Sequence, residues 1–147
     1  MDLLTQLKRD ESSRLTVYDD ADGRPIVAGK KVVGHPTIGV GRALDTNGIS
    51  ADEEDYLLAN DVARVKLELG KALPWLALVD PIRQAVLQNM AFNLGVAGLL
   101  KFPATLSKVK AGDYTGAAQE MLHSAWASQV GDRAVRLSNQ MKDGEWQ

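Results

Sequence analysis

The chain has 147 residues, 45% of them hydrophobic and 24% charged, which is the composition of an ordinary globular domain and excludes a disordered segment. It contains no cysteine, which excludes a disulfide framework and thiolate metal or redox chemistry. A net charge of −2 and a pI of about 5.7 argue against non-specific nucleic-acid binding, which depends on neutralising phosphates.

The charge is unevenly spread. Residues 1–73 carry 10 basic and 13 acidic groups, and residues 74–147 carry 7 and 6. A mildly basic surface over 101–142 (Lys101, Lys108, Lys110, Arg133, Arg136, Lys142) suits an anionic polymer or is simply a solvated helix face. The most apolar stretches, around 72–79 and 90–100, are broken by Pro74 or by Asn93, Gly95 and Gly98. Both fall short of the ~18 apolar residues a membrane span needs, so no membrane insertion is expected. The start, with Asp2 and no apolar core, does not read as a signal peptide.

In chain order, Leu3, Leu4, Leu7, Glu11 and Arg14 fall at three-to-four spacing and predict a short amphipathic helix over 3–14. Residues 15–42 change character. Leu15, Val17, Ile26, Val32, Val33, Ile38 and Val40 are interspersed with Asp22-Gly23, Ala28-Gly29 and Gly34-His35-Pro36, which predicts two or three short strands in hairpins. Ser50-Ala51-Asp52-Glu53 is a capping box. It opens a helix of about 20 residues with Leu57, Leu58, Val62, Val65 and Leu69 on one face, ending near Gly70 and Pro74. Asp80-Pro81 starts another helix with Val86, Leu87, Met90 and Phe92 facing inward. Shorter helices are expected near 103–111, 113–123 and 131–142. The expected class is α+β, with a small N-terminal sheet lobe (about 12–49), a linking helix (about 50–70) and a helical lobe (about 71–147, with helix 1–11). Two lobes on one strut are expected to form a ligand cleft.

Glu11 is the most informative residue. It extends the leucine stripe by one turn, where partial burial would raise its pKa and leave a proton to donate. Alternatively, the helix ends near residue 10 and Glu11 is solvated or paired with Lys8 or Arg14. A second carboxylate is expected within Asp19-Asp20-Ala21-Asp22, where Asp22-Gly23 also reads as ordinary turn chemistry. Two carboxylates in different surroundings can act as acid and base in cleaving a glycosidic bond. Other candidates are weaker. The two Asp-x-Asx-Gly stretches at 20–23 and 45–48 place glycine and the final ligand wrongly for calcium. Gly39-Val40-Gly41 lacks a third glycine. Two histidines, His35 and His123, are too few for a histidine-rich metal site. No metal or organic cofactor is expected. Trp75, Trp126 and Trp146 suit sugar stacking but more commonly pack in a core.

Taken together, Leu7-Lys8-Arg9-Asp10-Glu11, Val17-Tyr18-Asp19-Asp20 and Pro36-Thr37-Ile38-Gly39-Val40-Gly41 resemble the active-site signature of phage-type (T4-like) lysozymes, glycoside hydrolase family 24. Asn89-Met90-Ala91-Phe92-Asn93-Leu94-Gly95, Asp113-Tyr114 and Trp126 with Asp132-Arg133-Ala134 extend the similarity over most of the chain. The resemblance implies a lysozyme-like fold and hydrolysis of the β-1,4 bond between N-acetylmuramic acid and N-acetylglucosamine in peptidoglycan. It implies Glu11 as general acid and Asp20 with Thr37 as the water-activating pair. It implies Ala43, Phe92, Thr105, Glu120 and Arg133 as sugar- or cleft-contact positions, Arg133 beside the catalytic glutamate. It further implies a monomer acting on the glycan strand, held in the host cytoplasm until a separate holin releases it. A lytic transglycosylase or a non-catalytic glycan-binding module are the alternatives. Sixteen residues separate Asp20 from Thr37, where the family commonly has five, so an extra hairpin from Arg24 to His35 is expected beside the cleft.

Overall fold

The computed structural model describes residues 2–147. They divide into two compact units, the first ending at Asp55 and the second running Tyr56–Gln147.

The first unit begins with α1 (Leu3–Asp10), which Asp2 caps by accepting the Thr5 N–H at 2.8 Å. The helix ends earlier than the leucine spacing suggests. Glu11 is its C-cap, and Ser12 turns left-handed at φ +62°. That conformation closes the last turn and sends the chain into a strand. Leu3, Leu4 and Leu7 are exposed, at 66%, 72% and 41%. Three antiparallel strands follow in the order β1 (Arg14–Asp19), β2 (Pro36–Gly39) and β3 (Arg42–Ala43). The β1–β2 register pairs Tyr18 with Thr37 and Asp19 with Pro36, with an irregularity between Arg14 and Tyr18. A short helix, α2 (Leu44–Asn47), completes the unit.

The segment from Arg24 to His35 is not the hairpin expected. Its one ladder contact is the isolated bridge Tyr18–Pro25, and Val33 is exposed. Side-chain bonds replace the ladder. Asp22 accepts the Arg24 N–H at 2.9 Å and pairs with Lys30 Nζ at 2.9 Å.

The long helix α3 (Ala51–Ala72) starts at the anticipated capping box. The Ser50 N–H donates to Glu53 Oε2 at 2.8 Å, and the Glu53 N–H to Ser50 Oγ at 3.4 Å. Arg42 Nη1 joins Glu53 at 2.7 Å, tying β3 to the start of α3. Of the α3 stripe only Leu69 is fully buried.

The second unit is helical. A 3₁₀ turn (Pro74–Leu78) leads to α4 (Pro81–Leu94), capped by Asp80, which accepts the Arg83 N–H at 3.0 Å. Then come α5 (Val96–Leu99), α6 (Pro103–Lys110), α7 (Tyr114–Leu122), α8 (Ala125–Val130) and α9 (Asp132–Asp143). Its core joins Leu69, Val86, Leu87, Met90, Val109 and Met141 with their neighbours. Phe92, expected to face inward, is 45% exposed. Trp126 is core, and its Nε1–H donates to Asn93 Oδ1 at 2.9 Å. No helix among the described residues is long and apolar enough to cross a membrane.

Candidate active site

Strand alternation sends successive side chains to opposite faces, and the aspartates at the end of β1 follow it. Asp19 is wholly buried and Asp20 is exposed. Asp19 spends both oxygens on backbone. Oδ1 accepts the amides of Ala21 (3.1 Å) and Gly34 (2.9 Å), and Oδ2 that of Val33 (2.8 Å). These bonds, led by Val33, outweigh desolvation and hold its carboxyl below the usual carboxylate range. Asp22 is turn chemistry, held low by the Arg24 amide and then by Lys30.

Asp20 differs from both. Its Oδ1 accepts the His35 N–H at 2.6 Å, and its own N–H donates to the His35 carbonyl at 3.1 Å. Among the described residues that is the carboxylate's one hydrogen bond, so Oδ2 stays open. Thr37 is buried on β2, and its hydroxyl donates to the same His35 carbonyl at 3.1 Å. A hydroxyl that has donated its hydrogen keeps lone pairs for accepting another.

Glu11 stands at the end of α1, exposed and without a hydrogen bond to its carboxylate among the described residues. The expected burial against leucines is absent because the helix ends at Asp10. Neither is Arg14 its partner. That guanidinium stacks over the Tyr18 ring, 4.3 Å from its centroid, and donates to the Gly23 carbonyl. The β2–β3 turn approaches Glu11 instead. A Cβ on Gly41, whose φ is +74°, would lie 3.9 Å from Glu11 Oε2. Glu11, Asp20, Thr37 and Ala43 thus all belong to the first unit.

The backbone of His35 holds both Asp20 and Thr37. Its side chain is exposed, with Nδ1 2.8 Å from Asp45 Oδ2. That bond raises the imidazole pKa and lowers that of Asp45. The sequence signals were the aspartate doublet and a glycine immediately before the histidine.

The other expected residues lie in the second unit. Arg133 donates from Nε and Nη2 to Asn89 Oδ1, at 3.0 and 2.6 Å. It and Phe92 line a groove of about 340 Å³ with Val62, Val65 and Trp146. Glu120 pairs with Lys108 at 3.1 Å. Thr105 lies inside the unit, 2% exposed. No cluster of three or more metal-ligating side chains occurs among the described residues.

The sequence profile of the Phage lysozyme family matches residues 8–142. The chain belongs to the phage lysozyme family. It is therefore a member of a glycoside hydrolase family whose substrate is the peptidoglycan of the cell wall. It is 32% identical to the Pre-baseplate central spike protein Gp5 of Enterobacteria phage T4, an alignment covering 94% of this chain but 27% of that protein. It is 26% identical to Probable T4-type lysozyme 1 of Dictyostelium discoideum, over 94% of this chain and 92% of that one. Probable T4-type lysozyme 2 of the same organism is 25% identical, over 97% and 94%. This lysozyme-family chain thus spans about a quarter of the spike protein and nearly all of the two Dictyostelium proteins.

Proposed function

We propose that the chain hydrolyses the β-1,4 bond from N-acetylmuramic acid to N-acetylglucosamine, with Glu11 as general acid and Asp20 with Thr37 as the water-activating pair. The observation that carries this reading is the division of labour among the three aspartates. Asp19 and Asp22 are committed to backbone and Lys30, while Asp20 is held by one oxygen and open at the other.

The chemistry follows from these positions. Glu11 gives its proton to the bridging oxygen as the glycosidic bond breaks. A water donates one hydrogen to Asp20 Oδ2 and the other to a Thr37 lone pair, which leaves its own lone pair directed at the anomeric carbon. Asp20 takes the proton as the new C–O bond forms. A water between base and sugar means inversion, with carboxyl groups roughly 6.5–9.5 Å apart. Ala43, Phe92, Thr105, Glu120 and Arg133 are the proposed sugar- or cleft-contact positions. Release from the producing cell through a separate holin belongs to the same proposal.

The test is clearing of cell-wall suspensions by Glu11→Gln and Asp20→Asn. Both variants fold like the parent and lose roughly 10²–10⁴-fold in rate. Parent-like clearing by either refutes its assigned role. Mass spectrometry of the products adds a second arm: free reducing ends indicate hydrolysis, and 1,6-anhydro ends a transglycosylase.

A further inference from the structure

We propose that Asp19 is a positioning residue for the reaction, acting through the backbone of His35 on both Asp20 and Thr37. Three consecutive amides, of Val33, Gly34 and His35, converge on two adjacent carboxylates. Asp19 takes the first two and Asp20 the third. The carbonyl of the third residue accepts from the Asp20 amide and the Thr37 hydroxyl. The backbone of one residue, His35, therefore aims the carboxylate by its N–H and the hydroxyl by its C=O, through the two peptide groups that flank its Cα.

Nothing in the backbone ladder fixes the His35 backbone from the Arg24 side, because the segment before it is irregular. Asp19 supplies the missing anchor. It is the one wholly buried carboxylate among the described residues, and Lys30 Nζ stands 3.9 Å from its Oδ2. Lys30 also reaches the Arg24 carbonyl at 3.3 Å and Asp22 at 2.9 Å. The Asp19 amide donates to the Arg24 carbonyl at 3.0 Å, and its carbonyl accepts from Gly23 at 2.8 Å. Both ends of the long segment are thereby pinned to a single residue. Burying a carboxylate is costly unless each oxygen is satisfied, and here the segment's own amides do the satisfying. The insertion that separates Asp20 from Thr37 in sequence is thus the scaffold that brings them to the backbone of one residue.

This inference rests on Asp20 and Thr37 activating water. Its test compares Asp19→Asn with Asp20→Asn on soluble glycan fragments, reading kcat, KM and the His35 amide proton resonance. An asparagine can keep the bonds to one oxygen but faces the other amide with an N–H donor. Asp19→Asn is expected to lower kcat by about 10- to 100-fold, as misplacement of about an ångström does. KM is expected to stay within about twofold, since the loss falls on the transition state rather than on uniform substrate binding. The His35 resonance moves upfield as its bond to Asp20 loosens. Should that variant fail to fold, Val33→Pro deletes one of the anchoring amides at an exposed position and carries the same expectation. An unshifted His35 amide with parent-like kcat in Asp19→Asn, while Asp20→Asn is dead, overturns the positioning role and leaves the catalytic reading standing. Parent-like activity in Asp20→Asn overturns both.

Discussion

Replacing Gly34 by alanine puts a methyl group where Asp20 already has an oxygen. The new Cβ would lie 2.1 Å from Asp20 Oδ1 and 2.8 Å from both the Cβ and the backbone N of Ala21. Real Cβ contacts essentially never fall under 3.0 Å, so the carboxylate must retreat by the difference, about 0.9 Å. It has little slack, because the same oxygen holds the His35 N–H at 2.6 Å. The Ala21 contacts include backbone, so rotation of the aspartate side chain alone does not relieve the strain. A misplacement near 1 Å at a reacting group costs on the order of 10²-fold in rate. Overpacking of this kind costs about 1–3 kcal/mol in stability, which a domain with about 5–15 kcal/mol survives. The expected result is therefore a folded Gly34→Ala protein with kcat down about 100-fold and a modestly lower Tm. Peptidoglycan fragment turnover and a thermal melt on the same sample measure both. In an Asp20→Gly background the Gly34 substitution should cost no further activity, because the displaced carboxylate is gone, while the Ala21 contacts still lower Tm. A Gly34→Ala variant with kcat within about twofold of the parent refutes the idea that the carboxylate's position matters.

Ser12→Gly relieves a left-handed φ of +62° in a non-glycine residue and should add about 1 kcal/mol to the stability read by urea unfolding. Leu87→Ala empties a fully buried core position and should cost about 2–5 kcal/mol by the same measurement. The His35–Asp45 pair stabilises the protein where the histidine is charged and the aspartate ionised. A raised histidine pKa means its contribution is full below about 6.5 and fades as pH rises through the raised value. His35→Ala should thus lower Tm at pH 6 and have a smaller effect at pH 9. The buried carboxyl of Asp19 is held low, so its contribution is present above about 3.9 and vanishes as pH falls through its depressed value. Asp19→Asn should therefore flatten the acid limb of the stability profile.

What was legible in the sequence was local and self-contained. The Ser50–Glu53 box and the Asp80 cap are short-range hydrogen bonds between side chain and backbone, readable from residue type and offset alone, and both form. The apolar positions of α4 read correctly where helical period and burial agree, at Val86, Leu87 and Met90. Period failed where something else ended or redirected an element. Glu11 continues the leucine spacing, but Ser12 takes a left-handed turn and α1 stops at Asp10. Ile26, Val32 and Val33 look like strand residues, but only the Ile26 amide bonds back to β1, at the Val17 carbonyl, and Asp19 captures those of Val33 and Gly34. The six-residue helix α8 (Ala125–Val130) was missed, because its Ser124 cap is followed by too few apolar repeats to show a period.

The choice among the aspartates shows why spacing alone underdetermines a site. All three acids stand within four residues, and residue type cannot separate them. Alternation along β1 does, because it turns one of two neighbours inward and the other outward. The inward acid must then be satisfied by donors from somewhere, and the nearest unpaired donors are the amides of the irregular segment leading to β2. Once Asp19 binds Val33 and Gly34, the next amide in line, that of His35, is presented to Asp20. The open oxygen of Asp20 is thus a consequence of how completely Asp19 is used. A chain with a shorter connection between these strands would have fewer amides to offer at this point, and an inward aspartate there would be left partly unsatisfied at a cost of about 1–3 kcal/mol for each missing bond. On this argument the buried acid and the long connection depend on each other, and shortening Arg24–His35 should require replacing Asp19 by an apolar residue to recover stability.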